Sequence, residues 1–344
     1  MGRSAQIRRW LPAAILFVVT AVVAGCSDPE SEPAQRATGG EESRSSAARP
    51  VDWKAVDEAL GRGGEAMPGD VHRYGFPRSD LKVTLDGVAL QPGFALGSYA
   101  AFAPTSDDIV VMGDLVLTEA EVSPVMAKLQ RGGFDVTAVH NHLLREQPKI
   151  MYMHYLGHGP NPAALARELR AALEASATPS AAPGATSSSG ADLGFDPAEI
   201  DRILGRTGKP GGGLLKYAIA RAEAVEMPLG DNRPTPGGAE AKANPDKSSR
   251  LPLTPGLGVA TVINFESLGS GRAAITGDFA LRGSEVASVT RTLRDQGIEV
   301  TAVHTHMTDD EPHLFYVHFF AAGPATDLAR GLRTALDETN SSKA

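Results

Sequence analysis

VTAVHNHLLREQPKIMYMH at residues 136–154 recurs as VTAVHTHMTDDEPHLFYVH at residues 300–318. Around these stretches, residues 113–160 align without a gap on residues 277–324, and 19 of the 48 positions are identical. Eight of the nine histidines of the chain lie in the two aligned segments. The chain therefore contains an internal duplication, and the histidines are part of what is duplicated.

The duplication extends outward along the chain. Residues 51–62 (VDWKAVDEALGR) correspond to residues 195–206 (FDPAEIDRILGR), and each segment has an aspartate placed to cap a short helix and a glycine to end it. Alternating and helical patterns predict strands and helices in the first half, with strands at 71–76, 81–85, 97–103, 109–117, 134–143 and 150–156, and helices at 118–130 and 162–175. The second half repeats this order. We therefore predict an α+β fold of two tandem homologous repeats, each a mostly antiparallel sheet with helices packed on one face.

Composition divides the chain into five segments: a lipoprotein signal peptide (1–25), a flexible tether (26–49), a first α+β repeat (50–175), a linker (176–193) and a second α+β repeat (194–338) with a loop insertion near 227–255. The insertion is rich in Pro, Gly, Asn and Lys, which is typical of a mobile surface loop. Whether the two repeats pack face to face or edge to edge is left open.

The N-terminus has the features of an export signal. Basic residues precede an apolar run at 11–24, which is too short to span a bilayer comfortably. Val23-Ala24-Gly25-Cys26 matches the bacterial lipobox, in which the cysteine carries acyl chains such as palmitate and becomes the mature N-terminus. We expect a protein held by a lipid anchor at Cys26 on the extracytoplasmic face of the cell membrane.

The overall composition excludes several classes of function. Beyond Cys26, the expected site of lipidation, there are no cysteines, so a disulfide framework, thiolate catalysis and thiolate metal sites are excluded. A formal net charge of −8 argues against a nucleic acid as a partner. Any metal must therefore be held by histidine, carboxylate or carbonyl groups.

The repeated histidines predict a metal site. Side chains at i and i+2 of a strand point to the same face, about 6.6 Å apart along the strand, so His140 and His142 would project together. A hairpin centred near Gln147 would place His140 opposite His154 and His142 opposite Tyr152, with all four on one face. In the second copy the same positions are His304, His306 and His318. Three histidines suit a divalent metal such as Zn, Mn, Fe or Cu.

Further residues in and near the hairpin loops are candidates for the site. Glu146, in the loop, is predicted to be a fourth ligand or a general base. In the second copy, Asp310 lies at the equivalent position, with Glu311 beside it. Tyr152 and His158 are additional ligand-binding candidates. Since Ala322 replaces His158 in the second copy, the first repeat is favoured if a single site is kept.

Other interpretations of the same residues stay open at this point. Histidines on a sheet face also occur as hydrogen-bonded structural residues. The order Gly133, His140, His142, Glu146 partly matches a cupin motif, but the spacing departs from it and helices interrupt the strands. Arg78 and Asp80 either pair with each other or hold a ligand, and the structural ion pair is favoured.

Several longer strings carry a resemblance to a known family. They are FPRSDLKVTLDG (76–87), PGFALGS (92–98), VMGDLVLT (111–118), TAVHNHLL (137–144) and YMHYLGHG (152–159). In these the chain resembles the LppY/LpqO family of bacterial lipoproteins. The resemblance covers both halves and implies a cell-envelope protein, but the family has no established reaction.

Together these observations predict an exported, lipid-anchored protein that binds a divalent metal through its histidines. Hydrolysis by a metal-activated water would be the natural chemistry of such a site. The alternative is a non-catalytic binding or structural module of the cell envelope. Its partners would be the membrane, through Cys26, and a small molecule or an envelope polymer.

Overall fold

The computed structural model describes residues 51–106, 108–180, 193–229 and 250–343. All of them belong to one compact unit, Ser46–Ala344. The predicted signal peptide and tether, Cys26, and most of the predicted linker and insertion lie outside the described residues. Among the residues that are described, no helix combines the length and apolar character needed to cross a membrane.

The first repeat contains four helices and eight strands. They are α1 (Trp53–Leu60), β1 (Glu65–Met67), β2 (Val71–Pro77), β3 (Val83–Leu85), β4 (Val88–Leu90), α2 (Pro92–Ala95), β5 (Gly97–Pro104), β6 (Ile109–Thr118), α3 (Glu119–Arg131), β7 (Asp135–His140), β8 (Ile150–Gly159) and α4 (Pro162–Leu173). The predicted elements of this repeat are all present.

The second repeat follows the same order. Its elements are α5 (Pro197–Leu204), β9 (Lys209–Gly211), β10 (Leu214–Ile219), β11 (Glu226–Pro228), β12 (Arg250–Pro252), a 3₁₀ turn (Pro255–Leu257), β13 (Thr261–Gly269), β14 (Arg272–Arg282), α6 (Gly283–Asp295), β15 (Glu299–His304), β16 (Leu314–Pro324) and α7 (Ala325–Leu336).

Each repeat forms one six-stranded antiparallel sheet. The order is β1-β2-β5-β6-β8-β7 in the first repeat and β15-β16-β14-β13-β10-β9 in the second. In reverse, the second order is β9-β10-β13-β14-β16-β15, and each of these strands is the equivalent of the strand at the same place in the first sheet. This arrangement confirms the predicted α+β fold of two tandem repeats.

The short helices start and end as their sequences indicate. The Asp52 carboxylate accepts a hydrogen bond from the N–H group of Ala55, and Gly61 ends α1 in the left-handed conformation with φ +71°. Asp196 and Gly205 do the same for α5. These caps fix where the helices begin and end over the sheets.

Alternation along the central strands separates an outer from an inner sheet face. In β6, Leu115 and Leu117 pack with α1, α3 and α4 in the outer core of the first repeat. Their neighbours Met112 and Val116 point to the opposite face. The helices therefore cover one face of each sheet, and the inner face needs another cover.

The inner faces of the two sheets cover each other. Met112 of the first repeat shares a buried cluster with Met307 of the second. Val116 shares another with Leu214 and Phe320. The repeats thus pack face to face, in four layers with helices outside and sheets inside, which settles the question that the sequence left open.

The ends of the insertion are more ordered than predicted. Glu226–Pro228 and Arg250–Pro252 pair as antiparallel strands. Met227 and Leu251 are buried between the repeats, which anchors both ends of the segment. The prediction of a mobile surface loop was therefore wrong for these two ends, while residues 230–249 lie outside the described part of the chain.

Arg78 is a structural residue, as the sequence favoured. Its guanidinium group is fully buried and contacts Asp80 at 2.8 Å and Glu121 at 2.9 Å. Glu121 also accepts a hydrogen bond from the N–H group of Thr118 at the start of α3, as in a capping box. Arg221 forms the equivalent network in the second repeat. Each network joins a sheet to its helix.

We predict that Arg78→Ala lowers the free energy of unfolding by about 3 kcal/mol, because Glu121 and Asp80 lose a cation that is fully buried. The exposed pair of Lys54 and Glu58, 3.8 Å apart, provides a control, and Lys54→Ala should cost less than about 1 kcal/mol. Urea denaturation measures both values. Equal effects of the two substitutions would contradict the structural role of Arg78.

Candidate metal centre between the repeats

Two equivalent hairpins carry the histidines. The hairpins are β7–β8 and β15–β16. His140 is the last residue of β7 and lies opposite Tyr152, while Ala138 lies opposite His154. The predicted register, with His140 opposite His154, was wrong by two residues, and His142 lies beyond the strand end. A shift of two residues keeps the side chains on the same face, so the predicted grouping survives.

A β-bulge explains how the hairpins meet. Thr137 is left out of the ladder between Val136 and Ala138. Its hydroxyl group donates to the backbone carbonyl of His306 in the other repeat, at 2.6 Å. Thr301 forms the equivalent hydrogen bond with the carbonyl of His142. The two hairpins are thus tied together reciprocally.

The six histidines form one cluster rather than two separate sites. The rings of His140 and His304 stack with centroids 3.6 Å apart. The ring of His142 lies 3.8 Å from that of His318, and the equivalent pair, His154 and His306, is 3.9 Å apart. These near-equal distances describe a pseudo-two-fold arrangement whose axis passes between His140 and His304.

Contacts within each repeat complete the cluster. The Nε2 atoms of His142 and His140 are 3.0 Å apart, and those of His318 and His304 are 2.8 Å apart. Tyr152 supports the ring of His142 by stacking at 3.4 Å between centroids. Its hydroxyl group donates to the carbonyl of Ala95. Tyr152 therefore holds a histidine in place, and Tyr316 stacks on His306 in the same way.

Two aspartates that the sequence analysis did not single out belong to the site. Asp114 on β6 lies opposite His154, and Asp278 on β14 lies opposite His318. A carboxylate oxygen of Asp114 is 3.7 Å from His142 Nε2, and one of Asp278 is 3.9 Å from His306 Nε2. The signal for them was present: each follows the glycine that opens the aligned segments and interrupts an otherwise apolar strand.

Burial keeps the imidazoles neutral. It lowers the pKa of His154 to about 3 and that of His304 to about 4, from 6.5. The pKa values of His142, His306 and His318 are well below the usual value for the same reason, and neighbouring imidazoles lower them further. Neutral imidazole is the form that binds a metal ion.

Burial has the opposite effect on the carboxyl groups. It raises the pKa of Asp278 to about 7. The pKa of Asp114 is also raised well above its usual value, first by burial and then by the charge of Asp278. Ionised carboxylates at these positions therefore require a nearby positive charge.

Several buried polar atoms of the cluster have no hydrogen-bond partner in the part of the chain that the structure describes. They include Oδ1 of Asp114, Nδ1 of His140 and Nε2 of His154. The ring of His154 also interacts with the backbone of Gly113, as that of His318 does with Gly277. Such a contact orients an imidazole and leaves its other nitrogen free for a ligand.

Among the described residues, four groups of side chains could each hold a metal ion, with all ligand atoms of a group within 4.8 Å of one another. They are His140, His142, His304 and His318; His154, His304 and His306; Asp114, His142 and His154; and Asp278, His306 and His318. We refer to the third group as the first-repeat triad and to the fourth as the second-repeat triad.

The predicted role of Glu146 is not supported by its position. This residue is in none of the four groups. Its carboxylate is buried in the hairpin loop, where it accepts a hydrogen bond from the N–H group of Ile150. Asp310 accepts the N–H group of Leu314 in the same way and contacts His313 at 2.7 Å. Both acids fix the start of the strand that follows.

The remaining candidates lie away from the cluster. Glu311 forms a surface ion pair with Arg250 at 2.6 Å. His158 is 3.6 Å from Asp108 at the other end of β8, and it belongs to none of the four groups. The structure therefore gives no reason to favour the first repeat as the single site.

A cleft of about 830 Å³ between the sheets reaches the cluster. At its base are both triad aspartates and four of the histidines, namely Asp114, Asp278, His142, His154, His306 and His318. A metal ion held by either triad would therefore be accessible to a small molecule.

We predict that the metal-free protein loses stability as the pH falls from 7 to 5. The six imidazoles have lower pKa values in the folded chain than in the unfolded one, so their contribution is complete above pH 6.5 and lost towards about pH 4. Protonation of Asp114 and Asp278 acts in the opposite direction, but the imidazoles outnumber them. Thermal unfolding at a series of pH values measures the trend, and a constant or rising Tm on acidification would contradict it.

Comparison with known proteins places the chain in a family of unknown function. A family model described as Domain of Unknown Function (DUF1259) matches residues 54–175 and 241–338, which is more than half of the chain. No curated protein matches the chain.

Among solved structures, the chain is similar to "Crystal structure of a trimeric bacterial microcompartment shell protein PduB", at 14% identity over 79% of this chain and 89% of that chain. The TM-score of 0.18 is too low for this likeness to carry an argument. The chain belongs to the family of the Domain of Unknown Function (DUF1259), with one matched segment in each repeat.

Proposed function

We propose that this protein binds two divalent metal ions between its repeats, one on each triad. The supporting observation is the buried set of ligand atoms that lack partners, above all Oδ1 of Asp114 and Nε2 of His154. A buried polar atom without a partner costs about 1–3 kcal/mol, and a metal ion would remove this cost.

The number of ions follows from which groups exclude each other. The two triads share no residue, so both can be occupied at once. The other two groups both contain His304, so they cannot be occupied together. Each of them also contains one histidine from each triad, so neither can be occupied while the triads hold metal. Occupied triads leave His140 and His304 between the two ions, where each could complete the coordination of either one.

The ligand set favours a metal that accepts nitrogen and oxygen donors. Two histidines and one carboxylate, with positions left for water, suit Zn, Mn or Fe, and an imidazole-rich set also suits Cu. A metal ion at such a site lowers the pKa of a bound water, so hydrolysis is the reaction class that we propose. Access from the cleft supports catalysis over a purely structural metal.

We further propose that the protein acts at the cell envelope as a lipoprotein of the LppY/LpqO type. The support is the lipobox at residues 23–26 and the single cysteine, Cys26. A lipid on that residue would hold the metal-binding repeats at the extracytoplasmic face of the membrane. Substrates would then be small molecules or exposed parts of envelope polymers.

We predict about two equivalents of divalent metal on the untagged full-length protein, purified in detergent and loaded with Zn or Mn. The double variant Asp114→Asn/Asp278→Asn should lose most of this metal, because each triad loses its charged ligand. Elemental analysis after desalting measures the content. His313→Ala, a substitution outside the cluster, should retain both equivalents.

The rival function, a non-catalytic envelope module with structural histidines, makes a different prediction. Wild-type protein would then hold less than one tenth of an equivalent of metal, and its Tm would not change when Zn or Mn is added. That result would overturn the proposed metal centre. Circular dichroism of each variant separates loss of ligands from loss of the fold.

The lipid anchor is tested separately. Wild-type protein expressed in a bacterium should appear in the membrane fraction with acyl chains on Cys26, and Cys26→Ser should appear in the soluble fraction or retain its signal peptide. Mass spectrometry of the mature N-terminus checks this, with Ser27→Ala as the matched control. An unacylated wild-type N-terminus would contradict the proposal.

A further inference from the structure

The cleft above the cluster has a composition that indicates a ligand. Its volume of about 830 Å³ is in the range of small-molecule sites. The walls come from β2 and β5 of the first repeat and from β10 and β13 of the second. A molecule in the cleft would therefore contact both repeats and the metal ligands together.

Two cations at equivalent positions face this cleft. Arg73 on β2 and Lys216 on β10 each precede a tyrosine, Tyr74 or Tyr217, whose hydroxyl group bonds to an aspartate of the first helix of its repeat. The tyrosines pack in the outer cores, so the residues before them point inward, and both line the cleft. The duplication has thus placed one basic side chain on each wall.

Among the described residues, no carboxylate is in salt-bridge contact with either cation. The guanidinium group of Arg73 lies 3.6 Å above the ring of Tyr99 and donates to the carbonyl of Gly256 at 2.8 Å. Within the part of the chain that the structure describes, neither Arg73 nor Lys216 forms an ion pair with a carboxylate. Lys216 is an exposed residue of β10 and lines the cleft, so its ammonium group can reach a ligand there.

The charge of the cleft is opposite to that of the whole protein. The chain has a formal net charge of −8. Among the described residues that line the cleft, the carboxylates are Asp114 and Asp278, and both belong to the proposed metal triads. Lys209 adds a third cation to the lining. With metal bound, the cleft is strongly positive.

The strand register leaves room for a ligand next to the triads. Gly75 lies in one cross-strand row with Tyr99, Asp114 and His154. A Cβ atom added at Gly75 would meet no atom within 4 Å. Its equivalent in the second repeat is Ala218, which is also small. The row that leads to the histidines is therefore open in both sheets.

We propose that the cleft binds a small organic anion, a phosphate or a carboxylate, whose charged group is held between Arg73 and Lys216. Its apolar part packs on the aromatic and aliphatic lining, which includes Phe94, Tyr99 and Val262. This inference rests on the proposed metal centre for the position of the anion beside metal ions. The attraction to the two cations does not depend on the metal.

Binding of phenyl phosphate and of benzoate, with benzyl alcohol as the neutral analogue, tests the inference. Isothermal titration calorimetry is carried out on the full-length protein in detergent, in metal-loaded and metal-free form. We expect at least one anion to bind about tenfold or more tightly than benzyl alcohol, and which anion binds identifies the charged group.

Two single variants test the residues. Arg73→Gln and Lys216→Gln should each weaken anion binding about tenfold. Lys54→Gln, which removes an exposed cation outside the cleft, should bind as the wild type does. Lys216 has no hydrogen bond or ion pair among the described residues, so its replacement is expected to leave Tm unchanged and keeps the test valid if Arg73→Gln unfolds.

The outcomes separate this inference from the metal proposal. Anion binding that depends on Arg73 and Lys216 in protein without metal supports the inference even if the metal centre fails. Metal-loaded protein that binds the anions no better than benzyl alcohol overturns the inference and leaves the metal centre standing. Equal anion binding by wild type and Lys216→Gln also overturns it.

Discussion

The structure depends on enclosing ionisable groups between two sheets. Six imidazoles and two carboxyl groups lie where the inner faces meet, and burial shifts all eight towards their neutral forms. Three ligand atoms nonetheless stay without a partner: Oδ1 of Asp114, Nδ1 of His140 and Nε2 of His154. Burying these groups without partners lowers the stability of the fold, and the surrounding apolar clusters must offset this loss of free energy. A metal ion would convert the same groups into its ligands, so the proposed function and the electrostatic cost have one origin.

Duplication explains why the site has this form. One repeat alone would leave the inner face of its sheet exposed, with Met112 and Val116 in water. Packing two copies face to face covers both faces and brings equivalent residues to a common axis. The stacked pair His140 and His304 marks that axis. Each triad comes from one repeat, and the other repeat covers it and stacks imidazole rings on it, His318 on His142 and His306 on His154.

Much of the fold could be predicted from local signals. The helix caps at Asp52 and Gly61, and the buried pair of Arg78 with Asp80, follow from short-range rules. The face-to-face packing was not inferred, although residues 109–118 form a nearly continuous apolar run, which is typical of a strand buried on both faces. Asp114 was missed because a single acidic residue in such a strand can be assigned to a site only when its neighbours across the sheet are known, here His154. The register of His140 is set by the loop that joins β7 to β8, and the alternating pattern of the strands does not fix the conformation of that loop.

The central claim is that the two triads hold two metal ions between the repeats. Anomalous diffraction from crystals of Zn-loaded protein, measured on both sides of the metal's absorption edge, tests it most directly. The account predicts two anomalous peaks related by the pseudo-two-fold axis, each about 2.0–2.2 Å from one carboxylate oxygen and two imidazole nitrogens. Fully loaded crystals with no anomalous peak between the sheets, or with peaks at surface histidines alone, would contradict it.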